Sequence, residues 1–190
     1  MSPLALLLHE HRLIERLLHL LTQEKARLEG NMVISRDFAF VEVRFLKAVV
    51  DFFTGYVSAA HHPKEEAVLW PALEEKPLPP AIQQRLQQLR AEHRQVVGLI
   101  QELEWTTQRY QQGQETAVDA ILAAMTALIN LYTRHLAEEE VLFLKLWEVL
   151  DDTTLTALAD RWSAYEQDRD LSAYEKIVAA WEARGCKCHL

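Results

Sequence analysis

Two histidine–glutamate pairs give the sequence its clearest chemical signal. His61 and Glu65 are four residues apart, and so are His135 and Glu139. Residues at this spacing lie above one another on one face of an α-helix, so an imidazole and a carboxylate can bind the same metal ion. One pair alone has little weight, because helices also use polar pairs at this spacing on exposed faces. Two pairs on separate segments indicate a shared metal site.

Three histidines lie on the apolar faces of predicted helices, where polar side chains are usually excluded. His11, His93 and His135 each fall in a run of apolar residues that recur at steps of three and four. A single histidine at such a position is most often a hydrogen-bonded core residue. Four helices that each supply such a group at one level are much harder to explain in that way. The candidate metal ligands are therefore His11, His61, Glu65, His93, His135 and Glu139.

One of the pairs has a competitor beside it. His62 and Glu66 repeat the same spacing on the adjacent face of the helix. Along a straight helix, the preceding apolar stripe favours His62 and Glu66 over His61 and Glu65. Pro63 makes that extrapolation unsafe because proline disturbs a helix interior. From periodicity alone, both assignments stay open.

The apolar periodicity predicts four long helices. The first begins at Ser2-Pro3 and ends at Gly30-Asn31, the second runs from about Ser35 to about Leu73, the third follows Pro80 and ends at Gln112-Gly113, and the fourth runs from about Thr116 to about Leu150. We expect Pro63 to kink the second helix. Short connections predict an all-α, up-down-up-down four-helix bundle. In this bundle the candidate ligands lie at one level, about 12 to 22 Å from a common end at ~1.5 Å per residue.

The chain divides into a bundle and a C-terminal helical extension. We expect residues 1–150 to form the bundle and residues 151–190 to form the extension. Asp152 or Thr153 is expected to cap a fifth helix, and Ser172 with Glu175 has the spacing of a capping box that opens a sixth.

The sequence ends in a tail with two thiols and an imidazole. Cys186, Cys188 and His189 could bind a soft metal or react with a redox partner. We favour an exposed tail without a site. The two cysteines lie too close together to crosslink a core.

Composition and charge exclude several functions. The formal net charge of −8 argues against a nucleic-acid partner, which would need a basic face. No apolar run approaches the ~18 residues of a membrane span. The N-terminus lacks the basic flank and cleavage site of a secretory signal, so we expect a cytoplasmic protein.

The donor set also indicates which metal would bind. Four imidazoles and two carboxylates suit iron, with manganese as the next choice. Zinc is less favoured, because it prefers a closed tetrahedron of four ligands. Two iron ions would use all six groups and leave a position for a small molecule.

The same motifs, in this order, resemble the hemerythrin HHE cation-binding family. They are Glu10-His11-Arg12, the stretch from His61-His62-Pro63-Lys64-Glu65-Glu66 to Leu73, Ala91-Glu92-His93-Arg94, and the stretch from His135 to Phe143. The likeness covers roughly residues 3–150. It implies a non-haem di-iron centre with an oxo or hydroxo bridge. The family spacing also implies His61 rather than His62 as the ligand.

Two departures from the family pattern affect what the resemblance implies. In helix four the count to Leu142-Phe143 is one residue short, so Glu138 or Glu140 could replace Glu139. Oxygen-carrying hemerythrins have a second histidine on helix three, four residues from the first. Here those positions hold Leu89 and Val97, which weakens the case for reversible oxygen carriage.

We therefore expect a di-iron protein that binds or senses oxygen, nitric oxide or peroxide, in a redox or iron stress response. Sensing is favoured over enzymatic turnover. One alternative is a regulatory or interaction module in which the metal is structural. Another is a weak di-iron peroxidase or oxidase. A homodimer or a protein partner could bind through the C-terminal helices.

Overall fold

A computed structural model of the protein describes residues 3–75, 77–147, 150–166 and 172–185, and none of these residues lies in a β-strand. The helices are α1 (Pro3–Ile34), α2 (residues 43–74), α3 (Pro80–Gln111), α4 (Ala117–Trp147), α5 (Asp152–Glu166) and α6 (Ser172–Gly185). A short 3₁₀ helix, Arg36–Phe38, lies between α1 and α2. The prediction of an all-α fold is confirmed.

Helix α2 widens into π-helical turns at two places along its length. It begins as an α-helix at Val43–Phe52, widens into a π-helix at Phe53–His61, returns to α at His62–Lys64, widens again at Glu65–Leu69 and ends as α at Trp70–Glu74. In the wider turns, hydrogen bonds span five residues instead of four. These turns accommodate Pro63, whose ring and missing N–H would otherwise disrupt the helix.

Two predicted helix boundaries at the far end of the bundle are wrong. Helix α1 continues past Gly30 to Ile34. Ser35 does not begin the second helix, because its hydroxyl accepts a hydrogen bond from the Asp37 N–H and starts only the 3₁₀ turn. The second helix begins at Val43, where the Glu42 carboxylate accepts from the Arg44 N–H.

Neighbouring helices of the bundle run antiparallel. Arg36, just after α1, forms an ion pair with Asp119 near the start of α4, at 2.8 Å. At the opposite end, His11 near the start of α1 lies beside Glu139 near the end of α4. Helix α3 packs on both α2 and α4, and α1 packs on α4. The expected arrangement of the candidate ligands at one end of the bundle follows from this topology.

Two apolar clusters divide the core. The larger lies towards the far end and includes Leu17, Phe53 and Leu128. The smaller lies at the ligand end and includes Trp70 and Leu89. Buried polar residues from α1 to α4 lie along the chain between the two sets, so apolar packing holds the helices on both sides of a polar layer.

The C-terminal extension packs on α1 and α2. Asp151, rather than Asp152 or Thr153, caps α5 by accepting a hydrogen bond from the Thr154 N–H at 2.8 Å. Trp162 of α5 is buried in the smaller apolar cluster, and Val178 of α6 is buried in the larger. The Cys-x-Cys-His tail lies outside the described residues.

Within the described part of the chain, no helix combines the length and the apolar character needed to span a membrane.

The contact between α6 and α2 depends on a glycine. A Cβ atom at Gly55 would overlap the hydroxyl oxygen of Tyr174, and that ring also packs against Phe52 and Tyr56. We predict that Gly55→Ala lowers the free energy of unfolding by about 1–3 kcal/mol, as overpacked cores do. Denaturant unfolding would measure the change.

A matched glycine provides the control. Gly98 on α3 has no atom within 4 Å of a built Cβ, so Gly98→Ala should be neutral or stabilise by about 0.5–1 kcal/mol. Adding Tyr174→Phe to Gly55→Ala removes the overlapping oxygen and should restore much of the loss. Equal effects of Gly55→Ala and Gly98→Ala would contradict the contact.

Candidate metal centre

Four of the six predicted ligands form one compact, fully buried group. His11, His61, Glu65 and Glu139 each have 0% of their surface exposed. One potential ligand atom from each lies within 4.8 Å of the others. They come from α1, α2 and α4, so three helices meet at this group.

The other two predicted ligands form a second group with an additional histidine. His93 of α3 and His135 of α4 lie with His62 of α2, again with potential ligand atoms within 4.8 Å of one another. All three are buried. The structure therefore brings all six predicted residues together and adds His62.

Two carboxylates lie between the groups. Glu65 places Oε1 3.4 Å from His61 Nε2 and Oε2 3.4 Å from His93 Nε2. Glu139 Oε2 lies 3.5 Å from His11 Nε2 and 3.4 Å from His135 Nε2. Each carboxylate thus faces one histidine of either group, which is the arrangement that a bridge between two cations requires.

Eight buried atoms in this layer lack a hydrogen-bond partner within the described part of the chain. They are the Nε2 atoms of His11, His61, His93 and His135 and both carboxylate oxygens of Glu65 and Glu139. Buried polar atoms are nearly always hydrogen-bonded, so such a set calls for a missing partner. Nitrogen and oxygen atoms about 3–4 Å apart can each lie about 2.1 Å from one ion. The residues present therefore fit a pair of bound cations.

Four more glutamates form a ring around the layer. Each contacts the outer nitrogen, Nδ1, of one of the four histidines whose Nε2 atom faces inward. Glu10 on α1 accepts from His61 Nδ1 at 2.9 Å, and Glu92 on α3 accepts from His135 Nδ1 at 2.9 Å. The remaining two contacts of the ring are Glu66 on α2 with His93 Nδ1 at 2.7 Å and Glu140 on α4 with His11 Nδ1 at 3.3 Å. Each helix thus orients the histidine of the next.

This ring fixes the tautomer of each of the four histidines in its neutral, metal-binding form. When Nδ1 carries the proton and donates it to a carboxylate, Nε2 is left with its lone pair facing inward. Metal-binding histidines in proteins commonly have such an outer carboxylate partner. The sequence prediction missed Glu10 and Glu92, and it offered Glu66 and Glu140 as alternative metal ligands rather than as partners of the histidines. All four glutamates are next to a predicted ligand in the sequence, and this position could have indicated them. Glu10 and Glu92 directly precede predicted ligands, and Glu66 and Glu140 directly follow them.

Most of the chain matches a known protein family. A family model described as the hemerythrin HHE cation binding domain matches residues 2–147. The chain belongs to this family. No curated protein and no solved structure gives a significant match. The matched residues include both groups of the hemerythrin HHE centre and stop before α5 and α6.

His62 is placed differently from the other clustered histidines. Its ring stacks on that of His93, with centroids 3.6 Å apart and planes 7° from parallel. A bound ion lies close to the plane of the imidazole that holds it, so one ion cannot lie in both of these planes. His62 Nε2 instead lies 2.8 Å from the Tyr132 hydroxyl. In this orientation, His62 lies beside the hemerythrin HHE centre and contacts Tyr132 instead of sharing an ion with His93.

The alternatives that the sequence left open have different positions in the structure. Glu66 is half-exposed and contacts His93 from outside. Glu138 is partly exposed and pairs with Arg85, while Glu140 lies behind His11. Of the three neighbouring acids on α4, Glu139 is the one in the centre. The π-helical turns explain why both His61 and His62 face inward, because they change the angle between successive residues.

Burial and mutual charge control protonation in the layer. Burial opposes a charge on His11, but the carboxylates of Glu139 and Glu65 outweigh it and raise its pKa to about 10. Burial and the Glu139 charge raise the pKa of Glu65 well above its usual value. Burial would also raise the pKa of Glu139, but His135 and His11 lower it to about 2. Without a metal, protonated His11 partly balances the carboxylates.

The pair of His62 and Tyr132 stays neutral. Burial, with the carboxylates of Glu65 and Glu139, raises the pKa of the Tyr132 phenol well above its usual value. Burial, with the neighbouring His93, lowers the pKa of His62 well below its usual value. The phenol can therefore donate its proton to the Nε2 lone pair of His62.

The layer is enclosed except on one side. Five of the seven clustered side chains have no exposure, whereas His62 is 4% and His93 3% exposed. Both line a cleft of about 410 Å³ between α2 and α3, together with Ser58, Pro63, Glu66, Ala67, Arg94 and Val97. A small molecule would reach the layer from this side.

The raised pKa of His11 predicts a pH dependence for metal binding. A metal can bind the His11 nitrogen only after its proton leaves, so metal and proton compete. Below about pH 10 the protonated form dominates in the metal-free protein. Affinity should therefore rise about tenfold per pH unit for each proton displaced, and fall as the pH is lowered. Metal titrations from about pH 6.5 to about pH 8.5 would measure the slope.

A second measurement assigns the proton. Metal addition to weakly buffered protein should release at least one proton per chain, and His11→Gln should reduce the number by one at saturating metal. His19→Gln provides the control, because His19 is exposed and pairs with Gln23 on the same helix. Affinity that does not change with pH over this range would contradict the assignment.

Proposed function

We propose that this protein holds two iron ions and uses them to bind or sense a small ligand, such as oxygen, nitric oxide or peroxide. The observation that carries the proposal is the set of eight inward-facing ligand atoms that have no hydrogen-bond partner among the described residues. Four imidazole nitrogens and two carboxylates form a donor set that suits iron better than zinc. Membership in the hemerythrin HHE cation-binding family supports a cation at this place.

Each residue has a distinct part in this proposal. His11 and His61 hold one cation, and His93 and His135 hold the other. Glu65 and Glu139 are shared between them and balance their charge. The outer glutamates keep each Nε2 atom directed inward, so that the ligand atoms are arranged before the metal arrives.

The small ligand would bind on the His93 side. Bound iron would supply a redox-active, Lewis-acidic position for it. The cleft between α2 and α3 leads to this side of the layer, and His62 with Tyr132 offers polar atoms beside it. Apolar helices exclude bulk water from the rest of the layer. This closed environment favours binding and sensing of a small molecule over the conversion of a large substrate.

Metal counting on purified protein tests the proposal. We expect about two irons per chain, and a visible spectrum that changes on addition of azide, peroxide or nitric oxide. His93→Ala should lower the iron content towards one per chain. His9→Ala is the matched control, because His9 lies on α1 outside the layer and contacts Glu175. Protein that stays metal-free after anaerobic iron loading would refute the proposal.

The cleft makes a separate prediction about rates. Val97 lines the cleft and is 42% exposed, so Val97→Phe should narrow the cleft without replacing a proposed ligand. We expect slower association of azide with the iron-loaded protein and an unchanged iron content. Val141→Phe on the outer face of α4 is the control, because Val141 is similarly exposed at 53%. Equal rates in the two variants would place the access route elsewhere.

A further inference from the structure

Lys64 is buried beside the metal layer. It follows His61 and His62 on α2 and is only 1% exposed. A buried ammonium group is strongly unfavourable unless other groups stabilise its charge. The contacts of this ammonium group must therefore stabilise its charge.

Contacts from two different parts of the chain are among those that stabilise this ammonium group. Its Nζ atom forms an ion pair with Glu10 Oε1 of α1. The same atom lies 4.8 Å from the centroid of the Trp162 ring of α5. A cation over an aromatic face is attracted by the ring, most strongly where water is excluded. Trp162 itself is 1% exposed.

The contact with Glu10 connects Lys64 to a proposed ligand. The other carboxylate oxygen of Glu10, Oε2, lies 2.9 Å from His61 Nδ1. Glu10 thus uses one oxygen for Lys64 and the other for His61. Any change that displaces Lys64 would therefore remove an ion pair from the carboxylate that orients His61.

Helix α5 also contacts the wall of the layer. The Arg161 guanidinium donates a hydrogen bond to the Ala67 carbonyl at 3.1 Å, within the π-helical turn that carries Glu65. Leu158 and Trp162 share an apolar cluster with Trp70, whose ring stacks on His93. The α5 side of each contact lies beyond residues 2–147, which the family model matches, whereas the partners on α2 lie within them.

We propose that the C-terminal extension is a working part of the metal centre. Trp162 encloses Lys64, Lys64 fixes Glu10, and Glu10 holds the outer nitrogen of His61. Trp162 and Lys64 are thus positioning residues that set how long the His61 side retains its cation. This inference rests on the proposed metal binding.

The release of iron to a chelator tests this inference. Full-length protein is loaded anaerobically with Fe²⁺, and transfer to a colorimetric ferrous chelator is followed. Trp162→Ala should speed the release of one iron about tenfold, in line with the loss of an outer partner of a metal ligand. Trp162→Phe keeps an aromatic face and should restore most of the retention.

Trp181→Ala separates this effect from a general loss of stability. Trp181 also belongs to the extension, but it packs on Phe45, sixteen residues before His61 in the sequence. It should lower the thermal stability of the metal-free protein without changing the rate of iron release. Release from Trp162→Ala that is no faster than from Trp181→Ala would overturn the inference.

A double-mutant comparison tests the route through Glu10. Glu10→Gln alone should speed release, and adding Trp162→Ala should increase the rate by much less than its effect alone, because both act on one path. Multiplicative effects would overturn the inference. If the wild-type protein holds iron and these variants release it at the wild-type rate, only the role of the extension is refuted. Wild-type protein that holds no iron would refute the proposed function as well.

Discussion

Burying two carboxylates and four imidazoles among apolar helices is unfavourable unless positive charge lies between them. This constraint accounts for the main features of the bundle. In the metal-free protein, protonated His11 supplies part of that charge. The outer glutamates add negative charge around the layer, and Lys64, Arg134 and Arg12 pair with three of them. Eight inward-facing atoms still have no hydrogen-bond partner in the part of the chain that the structure describes, and two cations would satisfy them together.

The backbone of α2 departs from regular α-helical winding beside this layer. Both π-helical segments of α2 lie where His61, His62 and Glu65 must face inward from consecutive turns. A regular α-helix would bring one of the two adjacent histidines inward and turn the other away. One stretch of α2 contains the π turns, Pro63 and the close approach of Tyr174 to Gly55. Helices α5 and α6 cover this stretch, which joins the extension to the layer that it supports.

The sequence predicted the helices, the antiparallel order and the level of the candidate site, because apolar periodicity and chain length determine these features. It could not predict that both His61 and His62 face inward, since the π winding depends on tertiary packing around Pro63. It missed the glutamate ring because each carboxylate binds the histidine of a different helix. The role of Lys64 was equally hidden, because a lysine beside two glutamates in sequence is usually exposed.

Anomalous X-ray scattering from crystals of the iron-loaded protein would test the central claim most directly. We predict two iron peaks about 3.5–4 Å apart, a spacing typical of paired metal sites. One should lie beside His11 and His61 and the other beside His93 and His135, with Glu65 and Glu139 between them. A single peak, or peaks outside this layer, would contradict the account.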